Sequence, residues 1–313
     1  GCASKKEIVV PKFESKIVSN EKLSCRAIFV DTDKVWLGMD KGRYGFYDKK
    51  KDTLVVKTIQ SVSNTTEFRS IAATKDAIFI LAVGNPAKLI KIYKKSLQET
   101  IVYQEENEKV FYDSMQFVDN LNGFAMGDPT EDCLSFIKTT DGGNSWEKIS
   151  CANFPKVSEG EAAFATSNTN LIVKGKSIFM VSGGKKSRVF VSLDFVTSWQ
   201  VYETPIVQGE EMTGIFTADF YNDKTGIIAG GNYLKQTQNW SNKAITANGG
   251  KTWNLIAENE AFGYASCVQF VPNSKAKQLI SVGGTGMFYS SDFGKSWTKF
   301  SDDKDFFTFR FES

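Results

Sequence analysis

Apolar residues in this chain come in short runs, each closed by Gly, Asp, Asn or Pro before a helical face could form. Runs of this length, rich in Val, Ile, Phe, Tyr and Thr, predict β-strands. The first part of the chain divides into units of four such runs. One unit is Arg26–Val30, Lys34–Met39, Arg43–Tyr47 and Thr53–Thr58. The next is Arg69–Ala73, Ala77–Val83, Leu89–Lys94 and Glu99–Gln104, and the third is Asp113–Val118, Gly123–Gly127, Cys133–Lys138 and Trp146–Ser150. Nowhere does an apolar period of 3.6 persist long enough to predict a helix.

The units repeat. Four segments share the Asp-box pattern S/T-x-D-x-G-x-T/S-W, ending at Trp146, Trp199, Trp253 and Trp297, with intervals of 53, 54 and 44 residues. The key polar positions are Asp141, Asp194, Asn248 and Asp292. Each segment reads as a tight turn between antiparallel strands. The Asp or Asn oxygen takes turn amides, Gly supplies positive φ, and Trp packs over the turn. Val196 stands where Gly is expected, so the second turn is predicted to be strained. These residues are structural rather than catalytic.

A second series has the same period. Innermost strands are expected to begin near Arg26, Arg69, Asp113, Glu161, Phe216, Ser266 and Phe307, spaced 41 to 55 residues apart. Repeats of this size with four strands each predict an all-β fold, a β-propeller. Seven blades is the preferred count. The last is incomplete: Phe306–Phe311 supplies its innermost strand, and Glu7–Phe13 is placed as an outer closing strand. Six blades plus an appended strand is the alternative. Cys25 and Cys267 discriminate, because only six blades make their blades neighbours.

Charge and composition narrow the chemistry. Lys and Arg exceed Asp and Glu by 38 − 36 = 2, which gives no electrostatic reason to expect nucleic acid. The chain has no histidine, which removes Ser-His-Asp and Cys-His nucleophile systems and HExxH zinc sites. No phosphate-binding glycine motif occurs. No cofactor and no metal site is expected.

The five cysteines are Cys2, Cys25, Cys133, Cys151 and Cys267. Gly1-Cys2-Ala3-Ser4 reads as the mature end of a bacterial lipoprotein, with lipid on Cys2, residues 1–20 as tether and residues 21–313 as one propeller. That places the protein in the bacterial cell envelope, anchored to the membrane through Cys2 alone, as a monomer. An exported protein can hold disulfides. Cys133 and Cys151 face each other across one hairpin, which leaves open a bridge or two buried thiols.

First strands of propeller blades line the central channel. Arg26, Arg69, Asp113 and Glu161 are therefore expected at one channel mouth. They form either a polar binding site able to clamp a carboxylate or sulfate, or a salt-bridged plug between blades.

Several runs resemble the bacterial propellers related to the photosystem II stability/assembly factor. They are Asp113-Ser114-Met115-Gln116-Phe117, Gly123–Pro129 with its Gly127-Asp128-Pro129, Gly160-Glu161-Ala162-Ala163-Phe164-Ala165, Gly226–Tyr233 and Val282–Gly286. The resemblance spans roughly Ser24 to the end. It implies a seven-bladed, exported, non-catalytic propeller, and its photosynthetic members assist assembly of a membrane complex. Ala265 and Phe307 stand where relatives tend to carry Arg and His.

Three function classes follow. The leading one is a lipid-anchored binding or assembly scaffold with a protein partner. The second is a sialidase-type glycoside hydrolase, which needs three arginines around a carboxylate and must draw them from Arg26, Arg43, Arg69, Arg188 and Arg310. The third is glycan binding through loop aromatics Phe195, Tyr233 and Trp240.

Overall fold

The computed structural model describes residues 12–312. Cys2 and most of Glu7–Phe13 lie outside them. Six four-stranded antiparallel units form in chain order, with inner strands side by side. Blade 1 comprises Cys25–Val30, Lys34–Met39, Arg43–Asp48 and Thr53–Thr58. Blades 2 to 6 have inner strands Phe68–Ala73, Tyr112–Phe117, Leu171–Lys174, Thr213–Phe220 and Ala265–Phe270. The only helical element among the described residues is a three-residue 3-10 turn, Cys151–Asn153.

The blade count corrects the preference for seven. Phe306–Phe311 pairs with no sheet. Its alternating aromatic pattern has the period of a strand, but its rings are buried by packing rather than by pairing. The tail instead wedges between blades 6 and 1. Phe309 packs with Cys267, Val282 and Met287 of blade 6, the Phe307 ring lies 3.9 Å from the Arg26 guanidinium of blade 1, and Glu312 pairs with Lys49. Cys25 and Cys267 lie on either side of this seam, and the charge of Arg310 acts on both thiols. Phe13 lies against Phe300, ring centroids 5.3 Å apart, but forms no strand.

The core lies between blades, because each sheet buries both faces. Trp36, Phe46, Phe68 and Ile80 fill the first interface. Phe179, Phe220 and Trp253 fill the interface of blades 4 and 5, where Phe179 and Phe220 stack at 3.6 Å. The seam cluster around Cys267 is much the smallest.

All four box turns bind back to their own blade. Gly142, Phe195, Gly249 and Phe293 donate to the carbonyls of Leu121, Lys176, Lys224 and Lys277, so these turns share one face with the ends of the inner strands. We call it the lower face. Asp141 accepts from Asn144 N at 2.9 Å, Ser145 N at 3.0 Å and the Ser145 hydroxyl at 2.7 Å. Burial raises its pKa, but these bonds outweigh it and pull the carboxyl down to about 2. Asp194, Asn248 and Asp292 each accept the amide four residues on, at 2.9, 3.0 and 2.9 Å. In the second turn Phe195 and Val196 both take positive φ, 60° and 65°. This is costly for a β-branched residue.

Cys133 and Cys151 are joined by a disulfide. Cys133 precedes its strand, which runs Ser135–Thr139, and Cys151 opens the 3-10 turn. The bridge therefore ties the start of one strand to the loop beyond the next.

Candidate functional site

In five blades the inner strand carries a one-residue bulge near its start, skipping Arg26, Arg69, Asp113, Phe216 and Ser266 in the pairing register. A bulge re-aims its extra residue out of the ladder. Three of the four residues expected at one mouth thus hold the same structural position and converge. The Arg69 charge acts on both Arg26 and Asp113. We call this end the upper mouth.

Glu161 does not join them. The inner strand of blade 4 begins at Leu171. Glu161–Ala162 instead pairs with Gly183–Gly184, and that ribbon adds to the blade 5 sheet through Gly183 and Gly214. The two backbones meet so closely that a Cβ on Gly214 would lie 2.4 Å from Gly183 Cα. The Glu161 side chain is fully buried. It pairs bidentately with Arg188, one bond 2.9 Å, and accepts the Ser182 hydroxyl at 2.6 Å. Glu161 is a buried structural ion pair. Its short apolar run imitates an inner strand, and the true one begins ten residues later, at Leu171.

Between Ala162 and Leu171 the chain crosses the channel. Asn168 donates to Ile71 O at 2.8 Å and accepts from Met115 N at 2.8 Å, and Ser167 donates to Ser266 O at 2.6 Å. Thr308 and Arg310 of the tail bind the Ser167 carbonyl at 3.1 and 2.8 Å. The channel is therefore plugged at mid-height by two segments, leaving two mouths.

The upper mouth holds groups that the repeat does not predict. Asp128 and Asp113 interact, and Phe216, Tyr233 and Tyr264 form an aromatic cluster beside Arg26. Arg69 is held by Glu67 and donates to Ala165 O. Arg26 has no hydrogen bond or ion pair among the described residues, and its Nε is buried without a partner. Burial and the Arg69 charge push its pKa down. Asp113 is fully buried and neither carboxyl oxygen has a partner. Burial and the Asp128 charge push its pKa well up, against the pull of Arg69. Burial raises Asp128 to about 6, although it accepts Ala163 N at 2.8 Å. Asp128 lies within Gly127-Asp128-Pro129, one of the runs that carry the family resemblance; nothing local marks it as a partner of Asp113.

The three-arginine clamp of a sialidase is not assembled. Arg43 is bound to Asp40, Arg188 to Glu161, and Arg310 to main-chain carbonyls. Of the loop aromatics, Phe195 packs edge-on against Phe124 and Tyr233 against Tyr264, leaving Trp240 exposed.

No family model and no curated protein matches the chain. Solved structures do match in fold. YCF48 bound to D1 peptide aligns with TM-score 0.63 at 13% identity, covering 92% of this chain and 87% of that one. YCF48 from Cyanidioschyzon merolae gives 0.62 at 10%, covering 89% and 85%. The WD40 repeats of RRP9 give 0.64 at 10%, covering 92% and 82%. At these identities the likeness establishes the architecture: the chain is an all-β, six-bladed propeller similar in fold to YCF48 and WD40 proteins.

Proposed function

We propose that the protein is a non-catalytic binding scaffold whose upper mouth takes an anionic group of a protein partner. The observation that carries this reading is Arg26, a guanidinium without a carboxylate partner, set among aromatic rings beside Arg69. Arginine on an aromatic wall suits a planar carboxylate, and stacking on Phe307 holds the fork in place. One structural neighbour, YCF48, is seen bound to a peptide, which supports this reading. Kinship with the photosystem II assembly factor-like propellers, a lipid anchor on Cys2 and a place in the cell envelope belong to the same proposal.

Affinity capture from membranes of the native host tests it, comparing the wild type with Arg26→Glu. A partner recovered by the wild type and lost with the variant is expected. Identical recovery by both proteins contradicts the reading. Metabolic labelling with a fatty-acid analogue, with and without Cys2→Ala, tests the anchor; label that survives Cys2→Ala contradicts it.

A further inference from the structure

The lower end of the axis holds a second cavity, of about 340 Å3, on the opposite side of the plug from Arg26. It lies at the low end of the roughly 300–1,000 Å3 that small-ligand sites occupy. Its apolar wall includes Ile71 and Met115, and its polar lining includes Lys174, Asp219, Gln269 and Arg310 beside Gln116, Asn168 and Thr169.

These polar groups are unevenly satisfied. Arg310 donates to the carbonyls of Ser167 at 2.8 Å and Asn168 at 3.1 Å and to the Thr308 hydroxyl at 2.8 Å, all neutral acceptors. Lys174 has no hydrogen bond or ion pair among the described residues. Two cations therefore face the cavity with no bonded anion. Asp219 accepts Phe270 N at 2.8 Å, and the backbone of Phe220 also helps to hold its charged form. The Gln269 carbonyl oxygen is buried with no partner. A buried acceptor left empty costs free energy unless a ligand or water fills it.

The cavity thus offers a cation for an anion, acceptors for an N–H group and an apolar wall between. We propose that it binds a free α-amino acid with an apolar side chain. The carboxylate rests on Lys174, within the field of Arg310. The ammonium donates to Asp219 and Gln269, and the side chain packs on Ile71 and Met115. Burial raises the Asp219 pKa while Lys174 and Arg310 oppose the rise, and a bound ammonium favours its charged form further.

Calorimetric titration of the full chain with leucine, methionine and phenylalanine tests this. Leucinamide, N-acetyl-leucine and the dipeptides Leu-Ala and Ala-Leu serve as the blocked series. Leucine is expected to bind, with each blocked form weaker by roughly tenfold or more, since each loses a charge-assisted bond. Lys174→Gln and Gln269→Leu should each weaken leucine about tenfold while unliganded melting stays unchanged. Three results overturn the assignment: no amino acid bound at millimolar concentration, blocked forms bound as tightly as leucine, or leucine affinity unchanged in both well-folded variants.

Discussion

At the box turns of the lower face, polar atoms are spent in the same way from blade to blade. Asp141, Asp194 and Asp292 each accept one amide and one hydroxyl from the residue four positions on, and Asn248 reproduces the arrangement without charge by accepting the amide and donating to the hydroxyl. At the upper mouth, one position of the repeat carries Arg26, Arg69, Asp113, Phe216 and Ser266 in successive bulges, and two of these five leave polar atoms without partners. Where a position repeats and is satisfied, it serves the architecture. Where the backbone repeats but the side chain changes, and buried polar atoms stay open, the fold carries a cost that binding can offset.

The sharpest way to break this contrast is Glu161, which is charged and close to the upper mouth yet fully paired. Glu161→Ala leaves Arg188 buried without its anion and should cost about 3–5 kcal/mol in urea unfolding. Partner capture by the folded fraction should be unchanged. A loss under ~1 kcal/mol would make the pair dispensable and return Glu161 to the list of binding candidates.

Asp141→Ala should cost about 2 kcal/mol, because one carboxylate holds two amides and two hydroxyls. Asp141 also has a pH signature. Its pKa is lower when folded, so its contribution is fully present above its ordinary pKa near 3.8 and is lost as pH falls through about 2. Asp141→Asn should flatten that acid limb in thermal melts.

Asp113→Asn tests the opposite sign. The folded state holds protons on Asp113 and Asp128 more tightly than the unfolded chain does. Stability from this pair is therefore greatest below the ordinary aspartate pKa of 3.8 and falls as pH rises through about 6. Removing the charge should raise stability at pH 8 by about 1–2 kcal/mol and reduce the slope between pH 4 and 7. An unchanged slope would mean that burial and the Asp128 charge do not hold a proton on Asp113 in the folded state.

Val196→Gly is the smallest expected change. Relief of the left-handed strain, less the extra freedom glycine has when unfolded, should leave a gain of about 0.5–1 kcal/mol. The same substitution should leave the other three turns unaffected.

These contrasts also explain how far the sequence could be read. All four strands of blade 1 match their expected positions to within one residue at each end, and Asp31, Asp40 and Asp48 close the first three runs. The box turns are legible because their hydrogen bonds are local, spanning two to four residues. Arg26, Arg69 and Asp113 are legible because each begins an apolar run. Glu161 and Phe306–Phe311 mislead for one reason. A short apolar run specifies burial, and either a ribbon or a wedge buries residues as a strand does. The pairing of Asp113 with Asp128, the aromatic ring around Arg26 and the lower cavity depend on closure of the ring. They bring together residues from different blades, and no local spacing encodes them.

Arg26 is the proposed anion-receiving group of the upper mouth. Selection from a random-peptide display library on immobilised wild type and Arg26→Ala measures it. Enrichment of acidic peptides on the wild type, absent from an equally stable Arg26→Ala protein, is predicted. The same peptides enriched on both proteins, or none on either, would contradict it.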